Sequence, residues 1–402
     1  MTRTALVVGG TGPTGPTVVE GLLERGFDVT ILHGGHHENP DLPASVPHVH
    51  ADPHFAETLV PALEGRTFDL VAAQYGRLRV LVDTFRGRAG QLIAIGASTG
   101  MAAGPGDPGW NRIGRPALLT EDRLVRAGDE QHSSRLAVRM AQAQDHLFGA
   151  HADGAFSATY LGYPVLYGPH QPGPQDWSIV RRALDGRRRM VIADGGLKLE
   201  TRGYTRNVAR AVLLAVDRPD VAAGRSYIVC DPHTYTMRQR IEFVAAVAGH
   251  VFELVDLPWE RARPCHPLWR YEPGHRLADS ALIRRELGYT DELPVDDALA
   301  ASVEWMLAHP FTRGGPEEEQ LGDPFDYAGE DRVLAAAERG LAAVAAEPYP
   351  LPGYAHQYRH PKKPGEAWQR VAGAVSPTQA PPATPDPAST AAVSTGSDRE
   401  AE

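Results

Sequence analysis

VVGGTGPTG, residues 7–15, closes a short apolar run that begins at Thr4 and opens a segment, residues 14–25, in which Val18, Val19, Leu22 and Leu23 recur at helical spacing before Gly26 stops the pattern. DVTIL, residues 28–32, reads as the next strand. Strand, glycine turn, helix and strand within about 30 residues make a βαβ unit, which demands parallel strands and a right-handed crossover. In the turn, Gly9, Gly12 and Gly15 stand at G-x-x-G-x-x-G spacing, with Gly10, Thr11 and Thr14 among them. One glycine serves the tight turn, one lets the backbone approach a pyrophosphate, and one lets helix and strand pack closely. The helix start behind them offers free N–H groups and a partial positive charge, and Pro16 suits a first turn that needs no N–H from it. In this strand–turn–helix setting the stretch reads as a phosphate loop for NAD(H) or NADP(H).

The alternation continues downstream. Residues 48–50 form a short third strand, 55–63 a helix, 68–73 a fourth strand, 77–86 a helix and 91–95 (QLIAI) a fifth strand. A long helix over 133–149 and a strand over 155–161 follow. This pattern predicts an α/β fold built on a doubly wound parallel sheet. Its nucleotide-binding domain spans residues 1–167.

Proline-rich GPHQPGPQDW, residues 168–177, marks a change of texture. Shorter elements after it (helices over 179–184, 207–216, 237–248 and 296–307; strands over 190–192, 226–229 and 252–255) suggest a smaller α/β substrate-binding domain, residues 168–309, sharing elements with the first. An extension, residues 310–374, carries the acidic run PEEEQ at 316–320, read as a solvated turn, and an Ala-rich helix over 331–346. Residues 375–402 are rich in Pro, Ser, Thr and Ala, a composition that cannot bury a core and predicts disorder.

Composition narrows the classes of function. With 42% hydrophobic and 22% charged residues the chain is of ordinary globular type. It has no run of about 18 apolar residues and no apolar leader core, so a membrane partner is not expected and a cytoplasmic setting is. A net charge of −10 argues against nucleic acid as a partner. Two cysteines, Cys230 and Cys265, are too few for a disulfide framework and read as free thiols. The remaining partners expected are a small-molecule substrate and a second copy in a homodimer.

The glycine spacing, with Gly10 and Thr11 inside it, resembles the short-chain dehydrogenase/reductase superfamily, and more closely its extended branch, the NAD-dependent epimerase/dehydratase family. Asp52, after the third strand, matches the aspartate with which that family contacts the adenine ring. IGAST, residues 95–99, ends the fifth strand where the family carries a catalytic Ser or Thr, here Ser98. YPVLYGPH, residues 163–170, resembles the family's R-x-x-x-x-Y-G-P segment. The resemblance covers about residues 4–307 and implies a Rossmann fold, a nicotinamide cofactor, and an oxidoreductase or epimerase acting on a small organic carbonyl or hydroxyl compound.

One part of the family pattern is missing. Typical members carry Y-x-x-x-K at the start of the long helix after the fifth strand, the Tyr moving a proton and the Lys lowering its pKa. The helix here reads SSRLAVRMAQAQDHL, residues 133–147, without Tyr or Lys; no Tyr lies between Tyr75 and Tyr160, and no Lys precedes Lys198. Arg135 and Arg139 keep the four-residue interval, and Arg139 is a candidate for holding ribose or phosphate charge, although arginine stays protonated and is a poor proton donor. Ser98 and Tyr75, the latter at the end of the fourth strand, are the candidate catalytic groups. Tyr163, Tyr167 and His132 are weaker ones, the two tyrosines reading first as wall aromatics. The gap leaves three readings open: an atypical enzyme of this family, a redox-inactive dinucleotide-binding regulator resembling the family's nitrogen-metabolite-repressor-like members, or a non-redox lyase or isomerase with a structural cofactor.

Cofactor choice rests on the residue ending the second strand, where a carboxylate hydrogen-bonds the ribose 2′-OH. That residue is His33, followed by Gly34 and Gly35. Without an acid to repel a 2′-phosphate, NADP(H) is favoured over NAD(H). His33, His36, His37, His48, His50 and His54 crowd into 22 residues, but no zinc-type spacing is present, so they read as loop and cofactor-edge histidines rather than metal ligands. Arg181, Arg182, Arg187, Arg188 and Arg189 form a basic cluster, read as a solvated helix end ahead of an anion-binding patch.

Overall fold

The apolar run at the N-terminus becomes β1 (Arg3–Val8), whose residues Ala5 to Val8 are fully buried. A strand apolar on both faces belongs inside a parallel sheet covered on both sides. β1 pairs in parallel with β2 (Phe27–His33) on one flank and β4 (Phe68–Ala73) on the other. β3 (His48–His50) extends the sheet beyond β2, while β5 (Ala89–Ala97) and then β7 (Ser157–Tyr163) extend it beyond β4. The far edge is β11 (Arg225–Ile228), parallel to β7. The spatial order is β3-β2-β1-β4-β5-β7-β11, a Rossmann-like doubly wound sheet whose order reverses between β1 and β4. The computed structural model describes residues 2–35, 38–98, 118–124, 126, 128, 134–265, 267–268, 274–349 and 363–365.

Two apolar clusters fill the two faces. On one, α1 (Gly15–Glu24) packs with α6 (Thr205–Asp217): Val18, Val19 and Leu22 meet Val208, Val212 and Val216. Gly21 lets the helices approach, since a β-carbon there would lie 2.3 Å from Leu213 Cδ1. On the other face α2 (Ala56–Ala62), α3 (Leu78–Phe85) and α4 (Arg135–Ala152) bury Leu59, Leu81, Phe85 and Leu147 against β1, β4 and β5. Short α7 (Pro219–Ala222) and α9 (Ala281–Leu287) flank β11.

The second half of the chain adds three two-stranded parallel ribbons. β6 (Leu118–Leu119) pairs with β13 (Leu277–Ala278), β8 (Val165–Tyr167) with β10 (Arg202–Tyr204), and β9 (Arg189–Ala193) with β12 (Glu253–Leu257). Around them lie α5 (Trp177–Leu184), α8 (Met237–Val247) and α10 (Val295–Ala308). Cys230 is a free, buried thiol.

Two expectations for this half need correction. The arginines of α5 are not a solvated helix end. Arg182, 2% exposed, sits between Asp323, at 2.6 Å, and Glu330, and Arg181 meets Asp185 and Glu318. Nor is PEEEQ a solvated turn: it forms α11 (Pro316–Leu321), and buried Glu318 accepts hydrogen bonds from Trp177 Nε1 at 2.9 Å and from the Gly314 N–H at 2.8 Å. Charges that look surface-bound in sequence are neutralised by partners far along the chain, which is what permits their burial. The last helix, α12 (Tyr327–Ala346), supplies Glu330 from its first turn.

The chain divides into two compact units, Met1–Ala335 and Ala336–Glu402. In the second, Leu341, Val344 and Tyr349 are exposed. Residues 350–362 and the whole 375–402 tail lie outside the described residues, as do His36, His37, Thr99 and His132. Among the described residues no helix is long and apolar enough to cross a membrane.

Candidate functional site

Backbone strain and close contacts account for two of the three loop glycines. Gly9 has φ +79°, and a β-carbon there would lie 2.4 Å from Tyr75 Cβ. At Gly15 it would lie 1.7 Å from the Gly10 carbonyl oxygen, so only glycine lets the loop fold back on the start of α1. Gly12 differs. Its backbone does not need positive φ, and its added β-carbon would meet only Gly9 O, at an ordinary 3.5 Å. Among the described residues the protein gives no reason for glycine at this position; close approach of a ligand does.

The loop is braced across the point where the strand order reverses. Thr14, at the N-cap of α1, spends its hydroxyl on the Gln74 side chain, and the Gln74 N–H donates to Val8 O at 2.9 Å. Thr14 therefore leaves the start of α1 without a side-chain cap; the Gly15 N–H donates to Gly12 O at 2.9 Å and Pro16 has none, so Thr17 carries the first-turn N–H that could meet an anion. Ligands of open α/β sheets bind in this crevice, beyond the strand carboxyl ends. The loop, the helix start and the crevice together fit a dinucleotide pyrophosphate.

Tyr75 and Asp52 belong to one corner of that crevice. The Tyr75 ring, 60% exposed, packs edge-on against His54 with centroids 4.8 Å apart. His54 in turn shares a 2.9 Å hydrogen bond between its Nδ1 and Asp52 Oδ1, and its N–H donates to the same oxygen. Ser98 lies two strands over from β1. Its N–H donates to Tyr163 O, and its Oγ lies where a β-carbon on Gly162 would be 2.7 Å away. That hydroxyl is buried and has no hydrogen-bond partner among the described residues. The described contacts of Tyr75 and Ser98 thus share no residue.

The other tyrosines are walls. Tyr163 donates its hydroxyl to Val208 O at 2.8 Å, and burial pushes its pKa well above the ordinary phenol range. Tyr160 donates to Ala97 O at 2.9 Å, and Tyr167 is 2% exposed. On α4 the buried side is Ala137, Val138, Ala141, Gln144 and Leu147, whereas Arg135 and Arg139 are exposed. The helix, as in the sequence reading, holds neither Tyr nor Lys.

His33 is buried, at 3% exposure, rather than presented at a rim. Its Nε2 lies 2.9 Å from His48 Nδ1, its Nδ1 accepts from the Gly35 N–H at 3.3 Å, and the tilted His50 ring packs against it with centroids 4.6 Å apart. Burial holds its pKa below the ordinary imidazole value. A neutral ring here neither repels nor strongly attracts a 2′-phosphate.

Sequence reasoning passed over two participants. Gln74 carries no motif of its own, and Glu38 reaches the histidines only because its loop turns back. Deeper in, the Asp176 carboxylate takes a two-pronged bond from Arg240 at 2.7 and 2.6 Å, and buried Glu200 faces Arg202 and Arg276. Asp231, behind the Tyr204 N–H, is raised to about 6 by burial.

No protein-family model matches the chain, and no curated protein matches it by sequence. Solved structures do match it in fold. dTDP-glucose 4,6-dehydratase from Bacillus anthracis, in complex with NAD, aligns with a TM-score of 0.59 at 13% identity over 76% of this chain and 97% of that one. UDP-glucose 4-epimerase from Thermotoga maritima, with UDP-glucose, gives 0.59 at 17% identity over 76% and 99%. UDP-glucuronic acid 4-epimerase from Bacillus cereus, in complex with UDP-glucuronic acid and NAD, gives 0.59 at 15% over 76% and 99%. The chain is similar to these epimerases and dehydratases in fold.

Proposed function

We propose that this chain is an NAD(P)-dependent oxidoreductase or epimerase of the extended short-chain type, acting on a carbonyl or hydroxyl carbon of a small organic substrate. The observation that carries the reading is Gly12, open on its protein side between two glycines that the fold itself requires. A bound nicotinamide would supply the hydride acceptor or donor. Gly9 to Gly15 and the start of α1 hold its pyrophosphate, Asp52 its adenine, and Arg139, exposed on α4, would offset phosphate charge or donate to a ribose hydroxyl. The missing acid at His33 favours NADP(H), by absence of repulsion rather than by attraction.

Ser98 brings a buried hydroxyl with no other partner among the described residues, suited to donate to a substrate oxygen. Tyr75 offers an exposed phenol at the His54–Asp52 corner as the second candidate. The absence of Tyr and Lys from α4 favours one alternative, a regulator that binds the dinucleotide without turning it over.

Titrating NADPH and NADH by fluorescence, then following their absorbance with simple carbonyl compounds and with nucleotide sugars, separates these readings. The enzyme reading expects tight binding, consumption of cofactor or epimer formation with some substrate, and loss of turnover but not of binding in Ser98→Ala. Binding with no turnover on any substrate supports the regulator. Failure to bind either dinucleotide overturns both.

A further inference from the structure

We propose that His33, Glu38 and His48 form a binding site for a divalent transition-metal ion of the zinc type. The strands bring the two histidines together. β2 and β3 run parallel with Ile31 opposite His48 and His33 opposite His50, so His33, His48 and His50 stand on one face of the sheet edge. Glu38, 67% exposed, comes back over this face from the loop after β2, with one carboxylate oxygen 3.9 Å from His33 Nε2 and the other 3.9 Å from His48 Nδ1.

The three donor atoms lie within 4.8 Å of one another. A triangle with sides of 2.9 Å and 3.9 Å and a third side no longer than 4.8 Å has a point equidistant from its corners. That point lies roughly 2.1–2.4 Å from each donor, against bond lengths of about 2.0–2.2 Å for zinc to imidazole nitrogen or carboxylate oxygen. Two imidazoles and a carboxylate, with a fourth position left for water, are a donor set that suits zinc. His50 packs its tilted ring against His33 and is not one of the three donors.

The proton arrangement fixes what binding must change. Without a metal, His33 Nδ1 accepts from the Gly35 N–H, so Nε2 carries the ring proton and donates it to His48 Nδ1. His48 Nδ1 already presents a lone pair. For His33 to ligate through Nε2 its proton must move to Nδ1, where it would oppose the Gly35 N–H. A turn of the peptide between Gly34 and Gly35, which two glycines allow, removes that N–H and offers the Gly34 carbonyl oxygen as acceptor. Imidazole ligands commonly hold the proton of their second nitrogen in this way. The site does not depend on the dinucleotide reading.

The test uses the full chain after chelator treatment, titrated with Zn²⁺ alone by calorimetry, with bound metal counted by elemental analysis after desalting. The expected result is one equivalent in the parent and affinity lower by about tenfold or more in His48→Gln and in Glu38→Gln. These two are partly exposed, so their loss leaves the strand core intact. His54→Gln should bind as the parent does. Less than a stoichiometric equivalent in the parent overturns the site. So does equal affinity in parent and both variants. Zinc lost only when His36 and His37 are replaced would place it on the loop histidines and overturn it equally.

Discussion

Replacing Gly12 with alanine separates a glycine kept for the fold from one kept for a ligand. The added β-carbon would have a single described neighbour, Gly9 O at 3.5 Å, so nothing on the protein side need move. Where backbone geometry suits both residues, Gly→Ala stabilises by about 0.4–1 kcal/mol through the unfolded state. Gly12→Ala should therefore melt no lower than the parent. The same methyl group stands between the loop backbone and an approaching pyrophosphate. Losing one or two hydrogen bonds to a charged phosphate costs about 1.5–3 kcal/mol each. At about 1.4 kcal/mol per tenfold this weakens NADPH or NADH binding roughly 10- to 100-fold or beyond. Thermal unfolding and fluorescence titration of both dinucleotides measure the two effects. Gly15→Ala is the contrast: 1.7 Å from the Gly10 carbonyl, its β-carbon should lower stability as well as binding. An intact Gly12→Ala protein that binds both dinucleotides within about twofold of the parent would refute the phosphate-loop reasoning.

Two further outcomes follow from buried charge. Arg182→Met leaves Asp323 and Glu330 buried without their main cation and should cost about 3–5 kcal/mol in urea unfolding; a loss below about 1 kcal/mol would mean the network is hydrated after all. Asp231, raised from 3.8 to about 6, binds more protons folded than unfolded between those values, so its contribution to stability is lost as pH rises through that window. Asp231→Asn should accordingly gain on the parent by about 2 kcal/mol from pH 4 to 6, and parallel unfolding curves across that range would contradict it.

The βαβ unit, the strand alternation and the glycine loop were legible because each is written in neighbouring residues: apolar periodicity, a stop at Gly26, glycines at fixed intervals. What stayed hidden depends on distant partners. Nothing near Arg182 announces Asp323 or Glu330, 141 and 148 residues on, so Arg181 and Arg182 read as solvated when they are enclosed. Glu318 hides for the same reason, its partner Trp177 lying 141 residues earlier. Within the site, Gly9, Gly15 and Thr14 fall where the motif places them, but Gln74 and Glu38 act through loop geometry that no spacing encodes. His33 shows a third kind of gap. Its position in the sequence identifies the right corner of the fold, whereas its burial, which lowers its pKa, is set by the packing around β2.

The packing of α1 under α6 also sets an order of events. Gly21 is fitted to Leu213, 192 positions further along, and Val18, Val19 and Leu22 find part of their cover on α6 as well as on their own βαβ neighbours. As the chain leaves the ribosome, the helix bearing the phosphate loop therefore emerges long before the surface that shields its apolar face. Contacts so far apart are slow to form, and a chain waiting for them exposes hydrophobic surface. Truncation after the first six strands of the large sheet would leave that face bare and the β7 edge unpaired, so the first half of this fold cannot be harvested by itself.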